Sequence, residues 1–208
     1  MLKFIHFCFV AALLFTTHTA VVAVETVTVV MKTSAGDIRI ELFPEAAPIT
    51  VDNFLKYVDG NHYDNSHFYR VVRMDNQAQN KITIEVIQGG LGMFAPDLPF
   101  EPIVHEPTKT TGILHKDGVI SMGRLEPGTA TSEFFICIND QPELDFGGQR
   151  YPDGQGFAAF GKVVKGMDVV RNIQNMSSDI PPEGKLEYTS GQMLIDPVVI
   201  LEIRRVVN

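Results

Sequence analysis

TSEFFICIND, residues 131–140, is the stretch that decides the fold. Phe134, Phe135, Ile136, Cys137 and Ile138 form an apolar run, aromatic and β-branched, between Ser132-Glu133 and Asn139-Asp140. A run this short, bounded by polar and turn-forming residues, reads as a strand buried on both faces rather than a helix. Side chains alternate across a strand, so Glu133, Phe135 and Cys137 share one face while Phe134, Ile136 and Ile138 share the other. A carboxylate beside a phenyl ring is an odd choice for a core. An aromatic floor next to a polar group is how a small-ligand pocket is usually lined.

Outward from this strand, similar patterns recur. Val27, Val29 and Met31 alternate with Thr28, Val30 and Lys32, and Ser34–Asp37 follow as a turn. Ile38, Ile40 and Leu42 then alternate with Arg39, Glu41 and Phe43, completing a hairpin with one solvated face. Pro48 opens a helix through about Tyr57, with Val51, Phe54, Leu55 and Val58 on one side and Gly60 past its end. Thr50 and Asp52–Asn53 crowd its start, as caps do. Further strands are expected at Phe68–Arg73, Ile82–Gln88, Val119–Met122, Phe157–Val163 and Val198–Val206, with a second helix at Met167–Ile173. The proline-studded stretch Pro96–Pro107 has no period and is expected to be an ordered loop. Eight strands against two helices, evenly spaced and without internal repeat, predict an all-β dominated fold, a closed antiparallel barrel rather than a βαβ sheet.

At 208 residues and 45% apolar composition the chain can bury one substantial core. A formal charge of −8 argues against nucleic acid as a partner. The beginning of the chain stands apart. Lys3 supplies a positive start, Phe4–Leu14 is apolar apart from His6, and Val21-Val22-Ala23 offers small or modest residues. That is the pattern of a secretory signal peptide cleaved after Ala23, with a signal anchor as the second reading. The expected organisation is a signal at residues 1–23 and one exported domain at 24–208, periplasmic or secreted. Cys8 leaves with the signal, and Cys137 alone can form neither an intrachain disulfide nor a cysteine-based zinc site.

His62 and His67 are five apart, and His105 and His115 ten apart. Neither spacing gives two ligands on one helix face or an HExxH motif, so no metal site is expected. The glycines of Gln88–Gly92 and Gly147–Gly156 match neither a phosphate loop nor GxGxxG. Ser66 and Ser121 lack the nucleophile-elbow context.

What remains is Phe68-Tyr69-Arg70, Gln88-Gly89-Gly90, Ser132-Glu133-Phe134-Phe135 and Phe157-Ala158-Ala159-Phe160-Gly161-Lys162. In this order and at these intervals they resemble the cyclophilin family of peptidyl-prolyl cis–trans isomerases, from about Val27 to Arg205. The resemblance implies an eight-stranded antiparallel β-barrel capped by two α-helices, one over each end. It implies that Arg70, in the motif F-[HY]-R, is the catalytic residue, Gln88 the active-site glutamine and Phe135 the floor of a proline pocket. By the same resemblance Met122, Gly123 and Arg124 line the substrate groove and Leu144 walls the pocket. Val86, Glu133 and Phe157 complete the substrate-binding set, although they depart from the methionine, glutamine and histidine common in the family. Glu143 stands where many members carry a tryptophan, so weak cyclosporin binding is expected.

The chemistry asked of such a site is modest. Rotation about X–Pro is opposed by amide resonance, a barrier of about 18–20 kcal/mol, and takes tens of seconds or more. No bond is made or broken, so no cofactor is required. An apolar pocket grips the proline ring while the preceding carbonyl swings. A guanidinium at the prolyl nitrogen donates to a lone pair that is available only as resonance is lost, which favours the transition state over the ground state. Expected partners are proline-containing peptides and unfolded or folding proteins, with the enzyme a monomer. Two rivals remain: a proline-binding chaperone of the same fold with weak turnover, suggested by Glu133 and Glu143, and a barrel that carries an apolar small molecule inside.

Overall fold

The computed structural model describes residues 26–93, 95–180 and 188–206, so the expected signal peptide lies outside the described residues. The elements run β1 (Val27–Thr33), β2 (Gly36–Leu42), α1 (Pro48–Asp59), β3 (Ser66–Val72), β4 (Val86–Gly90), α2 (Thr108–Thr111), β5 (Val119–Met122), β6 (Phe134–Cys137), β7 (Ala158–Lys165), α3 (Met167–Gln174), β8 (Ser178–Ile180) and β9 (Met193–Arg205). A 3₁₀ turn spans Pro142–Leu144. The alternation that predicted the first hairpin produces it, with β1 and β2 paired from Val27↔Leu42 to Thr33↔Gly36. The strands then follow the ring β1-β2-β7-β5-β6-β4-β3-β9, and β9 pairs back onto β1. That ring is the expected eight-stranded barrel, every pairing antiparallel. The ninth strand, β8, is an appendage paired to β9 outside the ring.

Strand parity divides the apolar residues into two cores. Phe134, Ile136 and Ile138 point into the barrel with Met31, Ile40, Phe68 and Phe160. Phe135 and Cys137 point outward into a smaller cluster with Val72, Ile84, Val86 and Leu144. Among the described residues the interior is therefore occupied by buried side chains, which speaks against the carrier reading. Helix α1 lies over the end where β6 begins, its Phe54 ring 5.7 Å from Phe134 and 5.2 Å from Phe160. Helix α3 lies over the other end, beside Gly36 of the β1–β2 turn and Gly118 just before β5. Among the described residues no helix is long and apolar enough to cross a membrane.

Three differences from the sequence-based expectation stand out, the first two with side-chain causes. β4 starts at Val86 and not at Ile82. The buried Gln77 amide accepts from Ile84 N–H (3.1 Å) and donates to Ile84 C=O (2.7 Å), so a side chain takes the place of a ladder there. The cap of α1 is remote. The Glu106 carboxylate accepts from the Ile49 N–H (3.3 Å), the Thr50 N–H (2.7 Å) and the Thr50 hydroxyl (2.7 Å), placing a negative charge at the helix N-terminus. Finally, the stretch after Pro107 makes one further helical turn, α2.

Candidate active site

Register brings the site together. Arg70 on β3 faces Gln88 on β4, Gln88 faces Phe135 on β6, and Phe135 faces Ser121 on β5. Segments far apart in sequence thus contribute one row across four strands. β3 is irregular at this point: Phe68 pairs with Gly89 and Arg70 with Gln88, which leaves Tyr69 as the extra residue of a bulge. The bulge lets Tyr69 and Arg70 both lie outside the core while Phe68 stays in it.

The guanidinium of Arg70 is held by neutral oxygens. Nη1 donates to Gln88 Oε1 (2.8 Å), while Nε (2.9 Å) and Nη2 (2.6 Å) both donate to Gln192 Oε1. The Tyr188 ring lies 5.7 Å from the guanidinium carbon. Burial lowers the pKa of Arg70, but a guanidinium is basic enough to stay charged in proteins. Arg150, whose pKa is lowered to about 10 chiefly by burial and further by Arg70, adds a second positive charge nearby.

The direction of the Gln88 amide is dictated from below. The Tyr69 hydroxyl donates to Glu133 Oε2, so it accepts from Gln88 Nε2 (3.0 Å). Gln88 Oε1 is thereby left for Arg70. Glu133 Oε1 accepts from the Gly92 N–H (2.8 Å) and the Ser132 hydroxyl (3.2 Å). Burial raises the Glu133 pKa, opposed by these hydrogen bonds. Gly90 is required here. Its φ of +144° suits glycine, and a Cβ would run into the Glu133 carboxylate.

The apolar half of the site is the outer cluster. Phe135 is the floor, Val86 and Leu144 pack against it, and the Phe157 ring stands edge-on at 5.4 Å. Beneath the floor, the His115 ring stacks on Phe135 at 5.9 Å. His115 Nδ1 bonds Asp145 Oδ1 (2.8 Å) and Nε2 meets Ser121 Oγ (2.9 Å). This has the order of a hydrolytic triad, but Ser121 is 0% exposed, so no substrate carbonyl reaches it and the trio supports the floor.

The structure therefore groups Arg70, Gln88, Phe135, Val86, Leu144, Phe157 and Gly123, whose Cα lies beside the Gln88 amide. It places three expected groove residues elsewhere. Met122 faces Phe134 across the ladder and is fully buried inside the barrel, because it has the opposite parity to Ser121. Glu133 is turned under the Gly90–Gly92 backbone. Arg124 has a side chain only 1% exposed. Nε and Nη2 donate to Gly156 C=O (2.8 and 2.5 Å), Nη1 to Leu125 C=O (2.8 Å), and Nη1 and Nη2 to Asp153 (2.7 and 3.0 Å), which occupies all its N–H groups. Its guanidinium carbon lies 4.9 Å from the centre of the Tyr151 ring and 5.0 Å from that of Phe157, so Arg124 fixes the pocket wall from behind. Sequence patterns did not flag Gln192, Tyr188 or His115. The first lies 122 residues from Arg70, and no short motif spans that interval.

Comparison with known proteins shows the family. The family model for cyclophilin type peptidyl-prolyl cis-trans isomerase/CLD covers residues 28–202. A peptidyl-prolyl cis-trans isomerase of Streptomyces antibioticus is 37% identical over 156 residues, covering 73% of this chain and 85% of that protein. Peptidyl-prolyl cis-trans isomerase B of Escherichia coli is 35% identical over 166 residues, covering 74% of this chain and 93% of that protein. A Cryptosporidium parvum cyclophilin crystallised in the presence of the dipeptide Ala-Pro has the same fold, with a TM-score of 0.65 at 23% identity over 87% of this chain and 99% of that chain. With its closed eight-stranded barrel and the row Arg70, Gln88 and Phe135 across it, the chain belongs to the cyclophilin-type peptidyl-prolyl cis-trans isomerases.

Proposed function

We propose that Arg70 is the residue through which this isomerase accelerates rotation about X–Pro bonds, acting on proline-containing peptides and folding proteins outside the cytoplasm. The observation that carries the reading is the juxtaposition of a charged guanidinium, oriented by two glutamine amides, with an aromatic floor one ladder position beyond Gln88. A guanidinium has five N–H groups and three are engaged, so one on each Nη is left to meet a prolyl nitrogen. Phe135, Leu144, Val86 and Phe157 grip the ring, and Gln88 and Gly123 border the peptide backbone. Every one of these groups comes from one chain, so a monomer suffices. Glu133 is committed to Tyr69 and Gly92, which removes one ground for a binding-only chaperone. Export rests on residues 1–23, which have the form of a cleavable signal.

The test is the cis-to-trans rate of an Ala-Pro tetrapeptide with the chain from Val24 onward, together with N-terminal sequencing of the native protein. Acceleration well above the uncatalysed rate and a start near Val24 are expected. A rate equal to the uncatalysed one would overturn the assignment of activity to this site, and an intact Met1 would overturn the export reading.

A further inference from the structure

The hold on Arg70 from the side opposite Gln88 comes from a short segment, residues 188–192, that none of the four motifs includes. Gln192 is 0% exposed and lies beside β3, its C=O accepting from the Val71 N–H (2.9 Å). Its amide has one orientation. Nε2 donates to the Asn76 C=O (3.2 Å), which can only accept, so Oε1 is turned to Arg70 and takes both Nε and Nη2. The segment is in turn tied to the long connection between Arg70 and Gln88. Asn76 Nδ2 donates to Gly191 C=O (3.2 Å), and Gln79 Nε2 donates to Tyr188 C=O (2.9 Å).

The chemical identity of the holder matters. A carboxylate at the same place would fix a guanidinium more strongly, bidentately, and would also neutralise it. Among the described residues, the partners that meet the Arg70 guanidinium are the Gln88 and Gln192 amide oxygens and the Tyr188 ring, all of them neutral. Two amide oxygens orient the group and leave its positive charge uncompensated, available to a lone pair that appears only as the amide twists. We infer that Gln192 is a positioning residue of the isomerase, a neutral anchor that aims Arg70 without neutralising its charge.

The inference rests on Arg70 being the catalytic cation, so the experiment includes Arg70→Ala as a reference. Gln192→Leu removes the acceptor, and Gln192→Glu keeps size and acceptor but adds the opposing charge. Both variants are expected to lower kcat on a proline tetrapeptide about tenfold or more, by analogy with losing a preorganised electrostatic partner, while peptide Kd changes by less than about twofold. The ¹H–¹⁵Nε resonance of Arg70, sharp in the parent protein, should broaden or shift in both variants. Should Gln192→Leu fail to fold, Gln192→Glu and its resonance decide the matter. Parent-like kcat in either folded variant, with Arg70→Ala inactive, would overturn the role of Gln192. An active Arg70→Ala would instead overturn the reading on which it rests.

Discussion

At the scale of single residues, the site is a chain of forced choices that starts from one buried carboxylate. Glu133 accepts from Tyr69, Tyr69 therefore accepts from Gln88, and Gln88 therefore offers its oxygen to Arg70. Because burial raises the pKa of Glu133 above its unfolded value, the folded state takes up its proton first as pH falls. The stability linked to the protonated form is present at low pH and lost as pH rises through the folded pKa. Thermal unfolding of the parent and Glu133→Gln should thus diverge with pH, the comparison moving in favour of the parent between about pH 7 and about pH 4.5. A difference in melting temperature that is the same at both ends would show that Glu133 is not titrating as a desolvated group. Arg70, Gln88 and Phe135 were legible because they sit in short motifs that resemble those of a known family. Met122 was misplaced because placing it needed the register between β5 and β6, which no short motif contains.

At the scale of elements, β6 carries the division of labour. One face of Phe134–Cys137 belongs to the barrel and the other to the pocket, a split visible in the sequence from period-two alternation alone. Phe134→Ala should destabilise by about 3–5 kcal/mol, since the ring packs edge-on against Phe54, Tyr63 and Phe68 within the barrel. In the fraction that stays folded, peptide affinity should be unchanged. Phe135→Ala should destabilise as well, through the loss of a buried ring, and should also raise the peptide Kd. Equal effects of the two substitutions on Kd would contradict the assignment of faces. The elements that escaped sequence analysis are held by side-chain hydrogen bonds instead of apolar periodicity. Gln77 organises the approach to β4, Glu106 caps α1 from afar, and β8 pairs through three residues too few to show a pattern.

At the scale of the whole molecule, the barrel is a closed scaffold whose filled interior frees its outer surface for the site. Its closure through β1 and β9 joins the two ends of the domain, so opening it exposes both cores together. Cys137 reports that event. It is fully buried, and burial pushes its thiol well above the usual range, so it should resist alkylation at neutral pH until the barrel unfolds. Alkylation as fast as that of a free thiol in native conditions would mean that the outer cluster opens on its own. The central claim is that one guanidinium carries the catalysis, and Arg70→Ala tests it most directly. The loss of a half-buried side chain that satisfies two amide oxygens should cost about 1–3 kcal/mol in stability, leaving the fold in place. Measured on a proline tetrapeptide beside the parent protein, kcat/KM of Arg70→Ala should fall by a factor on the order of 10²–10³. Near-parental kcat/KM in a folded Arg70→Ala protein would contradict the account.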